Sequence, residues 1–138
     1  MDQNNPVVKL CIDGLRAVAQ KKEDDAQYYF KEAWKIRKND LDSCIAAHYI
    51  AKHQKNLLKT LSWNLKSLKY AKKIKKEYVE DFYPSLYINI ADTYEKLGEK
   101  ENAKKYYDLA ASKVTKTSLG SYRILLLESI KSGQQRTA

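Results

Sequence analysis

The sequence predicts an all-α fold made of short helical hairpins that follow one another along the chain. Helix-favouring lysine, leucine, alanine and glutamate are abundant, whereas the 138 residues include only four glycines and two prolines. Apolar residues recur at spacings of three and four, which is the period of one helix face. Small and aromatic residues share these faces, so that two helix backbones can approach closely while the rings fill the space beside them.

The hairpin with the clearest pattern lies at residues 84–115. Its first helix places four apolar residues on one face, Tyr87, Ile90, Ala91 and Tyr94, before Gly98 ends the helix. Its second helix carries Ala103, Tyr107 and Ala110 at spacings of four and three. This order of aromatic, large apolar, small and aromatic residues, followed by alanine, aromatic and alanine, resembles the tetratricopeptide repeat family.

The resemblance implies a right-handed stack of about three tetratricopeptide-like repeats, closed by a C-terminal capping helix. One hairpin cannot bury its own apolar face, so neighbouring hairpins share a continuous core. In this family the first helix of each repeat lines a concave groove that binds a peptide or a partner protein. The resemblance therefore implies a non-catalytic protein-interaction module, not an enzyme.

The first repeat is predicted at residues 7–38. Asn5 is a suitable cap, and Pro6 stands at the first helical position. The second helix repeats the alanine, aromatic, alanine series of the last repeat, with Ala26, Phe30 and Ala33 at the same spacings.

The middle repeat, at residues 41–80, departs most from the pattern. Its first helix runs from Leu41 to about His53, and its second helix has Thr60, Asn64 and Ser67 where the other copies have alanine, aromatic and alanine. The interval from Thr60 to Ala103 is 43 residues, nine more than the 34 from Ala26 to Thr60. An apolar stripe continues through this region, which predicts an elongated second helix reaching about Glu80. The stripe consists of Leu58, Leu61, Leu65, Leu68, Ala71, Ile74 and Tyr78.

The last repeat starts at Pro84, because a residue before proline avoids the helical region. Ser118 is the predicted cap of a closing helix over residues 118–132. The buried face of that helix is predicted to consist of Tyr122, Leu125, Leu126, Ser129 and Ile130. Residues 6–132 are predicted to form a single domain, with residues 1–5 and 133–138 disordered.

Carried over position by position, the family resemblance assigns seven residues to the peptide-binding groove: Tyr49, Lys52, His53, Ile88, Asn89, Asp92 and Glu95. It also argues against one kind of guest. Some members of the family bind a C-terminal carboxylate through lysine, asparagine and arginine, but the corresponding positions here keep only one amide, that of Asn89. These positions are Cys11, Leu15, Ala46, Ser85 and Asn89. Recognition of chaperone C-termini is therefore not expected.

The first helix of the chain would add an apolar strip to the groove. The strip consists of Val8, Cys11, Leu15 and Val18. Exposing such a strip to water is unfavourable, so a second copy of the chain could cover it. A homodimer is thus one alternative among the predicted partners.

The charge distribution suggests a different kind of partner. The chain has 26 basic and 17 acidic residues, and residues 52–76 contain nine lysines and no acidic residue. Five of these lysines recur at about helical spacing and form a predicted basic ridge: Lys59, Lys66, Lys69, Lys73 and Lys76. The ridge could bind nucleic acid or an acidic protein, or it could be only a solvated helix face. Because no stacking platform is predicted beside it, base-specific readout is not expected.

Other functions have little support in the sequence. No phosphate-binding glycine loop, nucleophile elbow or zinc-protease motif is present, so no catalytic residue or cofactor is predicted. His48 and His53 are five residues apart and therefore lie on different faces of a helix, which argues against a metal site. Cys11 and Cys44 are expected to be reduced and buried. Without an apolar run of membrane length or a secretory leader, the expected location is cytoplasmic, with no membrane partner.

Overall fold

The structure is a computed structural model that describes residues 2–114 and 120–138. Within these ranges the chain forms seven α-helices of 13 or more residues, one four-residue α-helix and one 3₁₀ turn, and no strand. The helices are α1 Pro6–Ala19, α2 Glu23–Lys35, α3 Asp40–Lys52, α4 Leu57–Ala71, α5 Lys76–Val79, α6 Tyr83–Lys96, α7 Lys100–Val114 and α8 Gly120–Arg136, with the 3₁₀ turn at Glu80–Phe82. The predicted all-α class, built from packed helical pairs, is confirmed for the part of the chain that the structure describes.

The helices belong to two compact units, Met1–Ile74 and Lys75–Ala138. In the first unit α1 packs against α2, α3 packs against α4, and α3 also contacts both helices of the first pair. In the second unit α6 packs against α7, and α8 packs against both. The boundaries of the three repeats and the assignment of one domain to residues 6–132 stay predictions.

The N-terminus of the first unit is fixed by an amide. The side-chain oxygen of Asn5 accepts a hydrogen bond from the backbone N–H of Val7 at 2.8 Å, which caps α1 as predicted. The Asn5 side-chain nitrogen donates to the Asp42 carboxylate at 2.7 Å, and Asp42 is buried. This bridge ties the start of α1 to the start of α3 and fixes Asn5, whereas disorder of the residues before it stays a prediction.

Each unit is built around one buried aromatic ring. Phe30 on α2 is fully buried, and Gly14 on α1 lies so close that an added Cβ would be 2.3 Å from the ring. Tyr107 on α7 is also buried, and Gly133 on α8 approaches it equally closely. Both rings come from the alanine, aromatic, alanine series of the sequence, and their burial brings the neighbouring helices into contact.

The prediction that the second helix of the middle repeat continues to about Glu80 is wrong. Helix α4 ends at Ala71, and a turn separates it from the short α5. The apolar stripe does not continue as a buried face, since Tyr78 is 71% exposed. A continued helix would also place the lysines of residues 69–76 three and four residues apart, where like charges repel each other.

The predicted disordered tail at residues 133–138 is wrong as well. Helix α8 continues to Arg136, and both Gly133 and Thr137 are buried. The Thr137 hydroxyl donates to the Gly133 carbonyl at 2.8 Å, which closes the end of the helix.

The predicted buried face of α8 is partly correct. Leu126 and Ile130 are buried, but Tyr122 is 40% and Leu125 is 61% exposed, and Ser129 is also exposed. The face that packs inward continues instead through Gly133 and the residues after it. The predicted cap, Ser118, lies outside the described residues.

Candidate functional site

Two of the three groove residues predicted in the first unit pack on its central ring. Tyr49 and His53, on α3 and at its end, stack nearly parallel to Phe30, with ring centroids 5.9 and 5.0 Å away. Both are half-buried, whereas Lys52 is exposed. Tyr49 and His53 therefore stabilise the packing of α3 on α2 and present only part of their surface to a guest.

Burial also affects the acid–base behaviour of His53. It lowers the pKa of His53, a shift that the neighbouring Lys52 reinforces and Glu23 opposes. The Nε2 atom of His53 is buried and has no hydrogen-bond partner among the described residues. The His53 carbonyl accepts a hydrogen bond from the Gln27 side chain at 2.5 Å, which links the end of α3 to α2. This part of the predicted groove is mainly structural.

The apolar strip predicted on α1 is largely absent from the surface. Val8 and Cys11 are each 1% exposed and belong to the core of the first unit, Val18 is half-buried, and only Leu15 is exposed. The expectation of an exposed strip is therefore wrong, because α2 and α3 already cover these positions. The observation that suggested a homodimer is removed with it.

In the second unit, three predicted groove residues line one cavity. Ile88, Asn89 and Asp92 on α6 border a space of about 390 Å³, and residues of α8 form the opposite wall. We call this space the α6–α8 groove; the remaining residues that line it are Tyr107, Glu128, Ser129, Ser132 and Arg136. The α8 wall contributes two hydroxyl groups and one charge of each sign, so the groove is polar over most of its lining.

Glu95, the fourth residue predicted there, is already engaged within the protein. Its carboxylate accepts hydrogen bonds from Arg136 at 2.6 and 3.2 Å and from the Tyr107 hydroxyl at 2.8 Å. These bonds, that of Arg136 above all, hold the pKa of Glu95 below its usual value. Burial, reinforced by Glu95, raises the pKa of Tyr107 to about 12. Glu95 thus closes one end of the α6–α8 groove and fixes Arg136 in place.

The other end of the groove is tied by a second contact between the same helices. The hydroxyl groups of Ser85 on α6 and Tyr122 on α8 are hydrogen-bonded to each other. The groove therefore lies between two fixed points, one near the start and one near the end of α6.

Sequence reasoning missed the α8 wall, because the closing helix over residues 118–132 was predicted only as a cap and Arg136 fell in the segment predicted to be disordered. A signal was present nonetheless. Leu126, Ile130, Gly133 and Thr137 follow one another at spacings of four, three and four, which extends one helical face past residue 132. Considered alone, Gly133 suggests a loop. Considered with its packing partner, Tyr107, it fits the interior of a helix.

The basic ridge is not a single helix. Lys59, Lys66 and Lys69 lie on α4, but Lys73 follows the end of that helix and Lys76 begins α5. All five lysines are exposed except Lys66, which is half-buried. The prediction that one elongated helix carries all five lysines of the ridge is therefore wrong.

Aromatic rings do accompany these lysines, contrary to expectation. The ammonium group of Lys66 lies 4.2 Å from the centre of the Trp63 ring, and that of Lys73 lies 5.1 Å from the Tyr70 ring. Trp34 on α2 meets Trp63 edge to face with centroids 5.0 Å apart. Such contacts are attractive because the ring face is electron-rich.

No group of three or more potential metal ligands occurs within residues 2–114 and 120–138. Both cysteines are free and buried, and burial raises the pKa of the Cys11 thiol to about 12. Across the same residues, no helix combines the length and the apolar character that crossing a membrane requires.

Helices that pack in consecutive pairs and bury small residues between them are typical of helical-hairpin repeat proteins. Residues 84–112 match the family model of the tetratricopeptide repeat, and the helical pair α6–α7 covers this match. This part of the chain is thus similar to a tetratricopeptide repeat, a family whose members generally mediate protein–protein interaction, and the all-helical structure of the described residues is consistent with that family. Comparison with curated proteins gives no match.

Proposed function

We propose that the protein is a non-catalytic interaction module whose α6–α8 groove binds an extended segment of a partner protein. The observation that carries the proposal is the shared lining of one cavity. Ile88, Asn89 and Asp92 were assigned to a groove from the sequence, and all three border the same space of about 390 Å³. Its second wall comes from α8, a helix that packs on the matched repeat.

The lining indicates the chemistry of the guest. Arg136 is already paired with Glu95, so its charge is largely compensated. Asp92 and Glu128 leave the groove with a net negative character, although Asp92 also pairs with the exposed Lys96 at 2.9 Å. Asn89 can both donate to and accept from a peptide backbone, and Ile88 offers an apolar contact. The favoured guest is a peptide with one or more basic side chains.

The two fixed points of the groove set the length of the guest. Ser85 and Glu95 are ten residues apart on α6, which is about 15 Å at a rise of 1.5 Å per residue. An extended peptide advances about 3.3 Å per residue, so about four or five residues span the groove. Main-chain contacts along this length would give affinity, and the carboxylates would select the side chains.

The test is selection from a random library of peptides of that length, followed by titration of the full chain with the selected peptides. We expect enrichment of lysine and arginine, and at least tenfold weaker binding to the double variant Asp92→Asn, Glu128→Gln. Asn89→Ala should weaken the same peptides regardless of their charge. Glu101→Gln, an exposed charge change at the start of α7, is the matched control and should leave binding unchanged. Selected peptides that bind the double variant as well as the unchanged chain would refute the proposal.

The remaining assignments rest on the sequence alone. We also propose a cytoplasmic location, a lack of catalytic activity and a contribution of Tyr49, Lys52 and His53 to guest binding. The alternative is an electrostatic binder of nucleic acid or acidic partners that uses the lysines around α4. The aromatic contacts there favour an acidic protein partner over nucleic acid.

A further inference from the structure

A second groove lies in the first unit, between α2 and α4. It encloses about 450 Å³ and is lined by Trp34 and Trp63, with the buried Ile50 of α3 at its floor. The polar residues of the lining are Lys31, Lys35, Gln54 and Lys59. We call it the tryptophan groove. It combines an apolar floor with a rim of three lysines, and it shares no residue with the α6–α8 groove.

Further cations surround the rings. The guanidinium carbon of Arg37 lies 3.7 Å from the Trp34 ring centre, and the Lys66 ammonium lies within contact range of both tryptophans, at 5.6 and 4.2 Å. The Tyr70 ring meets Trp34 edge to face at 6.1 Å and itself carries Lys73. The protein's own cations thus lie over the ring faces, so that a base stacking on these faces would have to displace them.

No acidic side chain is among the described residues that line the tryptophan groove. Glu32 on α2 is paired with Lys35 at 3.0 Å, and it is the acidic residue closest in sequence to the groove's α2 wall. Glu23 and Asp24 border a separate cavity of about 260 Å³, which shares Lys59 with the tryptophan groove. Residues 53–74, which include α4, contain six lysines, Lys59 among them, and no acidic residue. The charge around the groove is therefore strongly positive.

We infer that the tryptophan groove is a docking site for a short acidic segment of a partner protein that carries one large apolar side chain. The apolar side chain would enter the groove beside the contacting rings of Trp34 and Trp63, over Ile50, while flanking carboxylates would pair with the lysines of the rim. An acidic peptide meets both features of the site, whereas a single-stranded nucleic acid meets only the charge, because its bases find the ring faces already covered. The site is independent of the proposed function of the α6–α8 groove.

The chain provides its own reporter for this site. Trp34 and Trp63 are its only tryptophans, and both line the groove, so tryptophan fluorescence of the full chain responds directly to occupancy. The probe is a seven-residue peptide with three acidic residues on each side of a central phenylalanine. Its matched control has serine in place of the phenylalanine, and an oligodeoxythymidine of similar charge is the nucleic-acid probe. We expect at least tenfold tighter binding of the phenylalanine peptide than of either control probe.

Charge reversal separates the site from the rest of the surface. Lys31→Glu with Lys59→Glu should weaken the phenylalanine peptide at least tenfold, because both exposed lysines border the groove. Lys9→Glu with Lys131→Glu changes the net charge equally at exposed positions on α1 and α8, and should change binding less than twofold. Circular dichroism checks that both variants remain folded. Binding should also weaken when salt is raised from about 0.05 M to about 0.5 M.

Three results would overturn the inference. Equal affinity for the phenylalanine and serine peptides would show that the apolar floor is not used. Equal loss in both charge-reversal variants would show that only net charge matters. Tighter binding of the oligodeoxythymidine than of the phenylalanine peptide would assign the surface to nucleic acid instead.

Discussion

The two units of the chain use the same local arrangement in different ways. In each, two helices form an antiparallel pair and a third helix packs on it, with α3 as the third helix of the first unit and α8 as that of the second. In each, an aromatic residue flanked by alanines lies at the centre: Phe30 in the first and Tyr107 in the second.

The difference lies in which helix leaves room for the ring. In the first unit the glycine, Gly14, belongs to the paired helix α1, and the third helix covers Phe30 with the rings of Tyr49 and His53. In the second unit the glycine, Gly133, belongs to the third helix.

The central rings also differ in chemistry. Phe30 has no polar group, whereas the Tyr107 hydroxyl bonds Glu95 and Arg136. The second unit thus has polar bonds to its third helix at the central ring itself, whereas the first unit has stacked rings there and places its polar bonds at the two ends of its third helix. The same alanine, aromatic, alanine series can therefore leave a groove open in one unit and fill the equivalent space in the other.

The largest predicted difference between the units is their response to acid. Both histidines lie in the first unit, and burial, reinforced by Lys52 and His53, lowers the pKa of His48 to about 4. As the pH drops, His48 therefore binds a proton in the unfolded chain before it does so in the folded chain. The free energy of unfolding falls between about pH 6.5 and about pH 4 as a result. The loss from His48 is about 2–3 kcal/mol at pH 4, and the lowered pKa of His53 acts in the same direction.

Urea denaturation followed by tryptophan fluorescence at several pH values measures this loss, because both tryptophans report on the first unit. His48→Gln removes the titrating group and should flatten most of the slope between pH 6.5 and 5. In the second unit, Glu95 and Asp108 have lowered pKa values. Their contribution to the free energy of unfolding is lost only when the pH falls below the ordinary carboxyl range. An unchanged slope in the variant would contradict the prediction.

The next effect concerns the ring of the first unit. In Gly14→Ala the new methyl group would lie 2.3 Å from Phe30, which is fully buried and held by two stacked rings. Overpacking of this severity costs about 3 kcal/mol, and the better helix propensity of alanine offsets about 1 kcal/mol. We expect a net loss of about 2 kcal/mol in urea denaturation. Ala19→Gly, at the exposed end of α1, controls for propensity alone; a neutral or stabilising Gly14→Ala would contradict the packing argument.

The sequence predicts most of the helices because their ends carry local signals. Asn5 and Asn39 each cap the helix that follows through a side-chain hydrogen bond, and the observed α1 and α3 begin within a residue of the prediction. The alanine and aromatic spacing correctly identified the two central rings. These features depend on residues close together in the chain, where the sequence is most informative.

The errors occur where a boundary depends on residues far apart. Helix α4 ends at Ala71 without a glycine or proline, so periodicity alone continued it to Glu80. The last turn of α8 is ordered by contacts with Tyr107 and Glu95, which lie 26 and 41 residues away from Gly133 and Arg136. The sequence could therefore predict three residues of the α6–α8 groove and most of the helix opposite them, but neither the last turn of that helix nor its place as the second wall of the groove.

Gly133→Ala tests how α8 packs on the central ring of the second unit. The clash with Tyr107 is as severe as that at Gly14, but α8 packs less extensively on its neighbours than α1 does and can therefore move away from the ring more easily. We expect a net loss of about 1 kcal/mol. Hydrogen exchange read by mass spectrometry should show faster exchange in α8, with α1–α4 unchanged. Faster exchange in α1–α4 as well would show that α8 is not the element released.

The smallest predicted effect isolates the polar bonds of the second unit. Tyr107→Phe keeps the buried ring but removes the hydroxyl that donates to Glu95 at 2.8 Å and accepts from Arg136 at 3.3 Å. Because Glu95 and Arg136 still pair directly and are partly exposed, the cost is about 0.5–1 kcal/mol. Tyr28→Phe, a 60% exposed tyrosine on α2, is the control and should change stability by less than the measurement error. If Tyr107→Phe leaves hydrogen exchange in α8 unchanged while Gly133→Ala accelerates it, close packing on the ring holds this helix in place. Equal acceleration in both variants would instead assign that role to the hydrogen bonds at the groove.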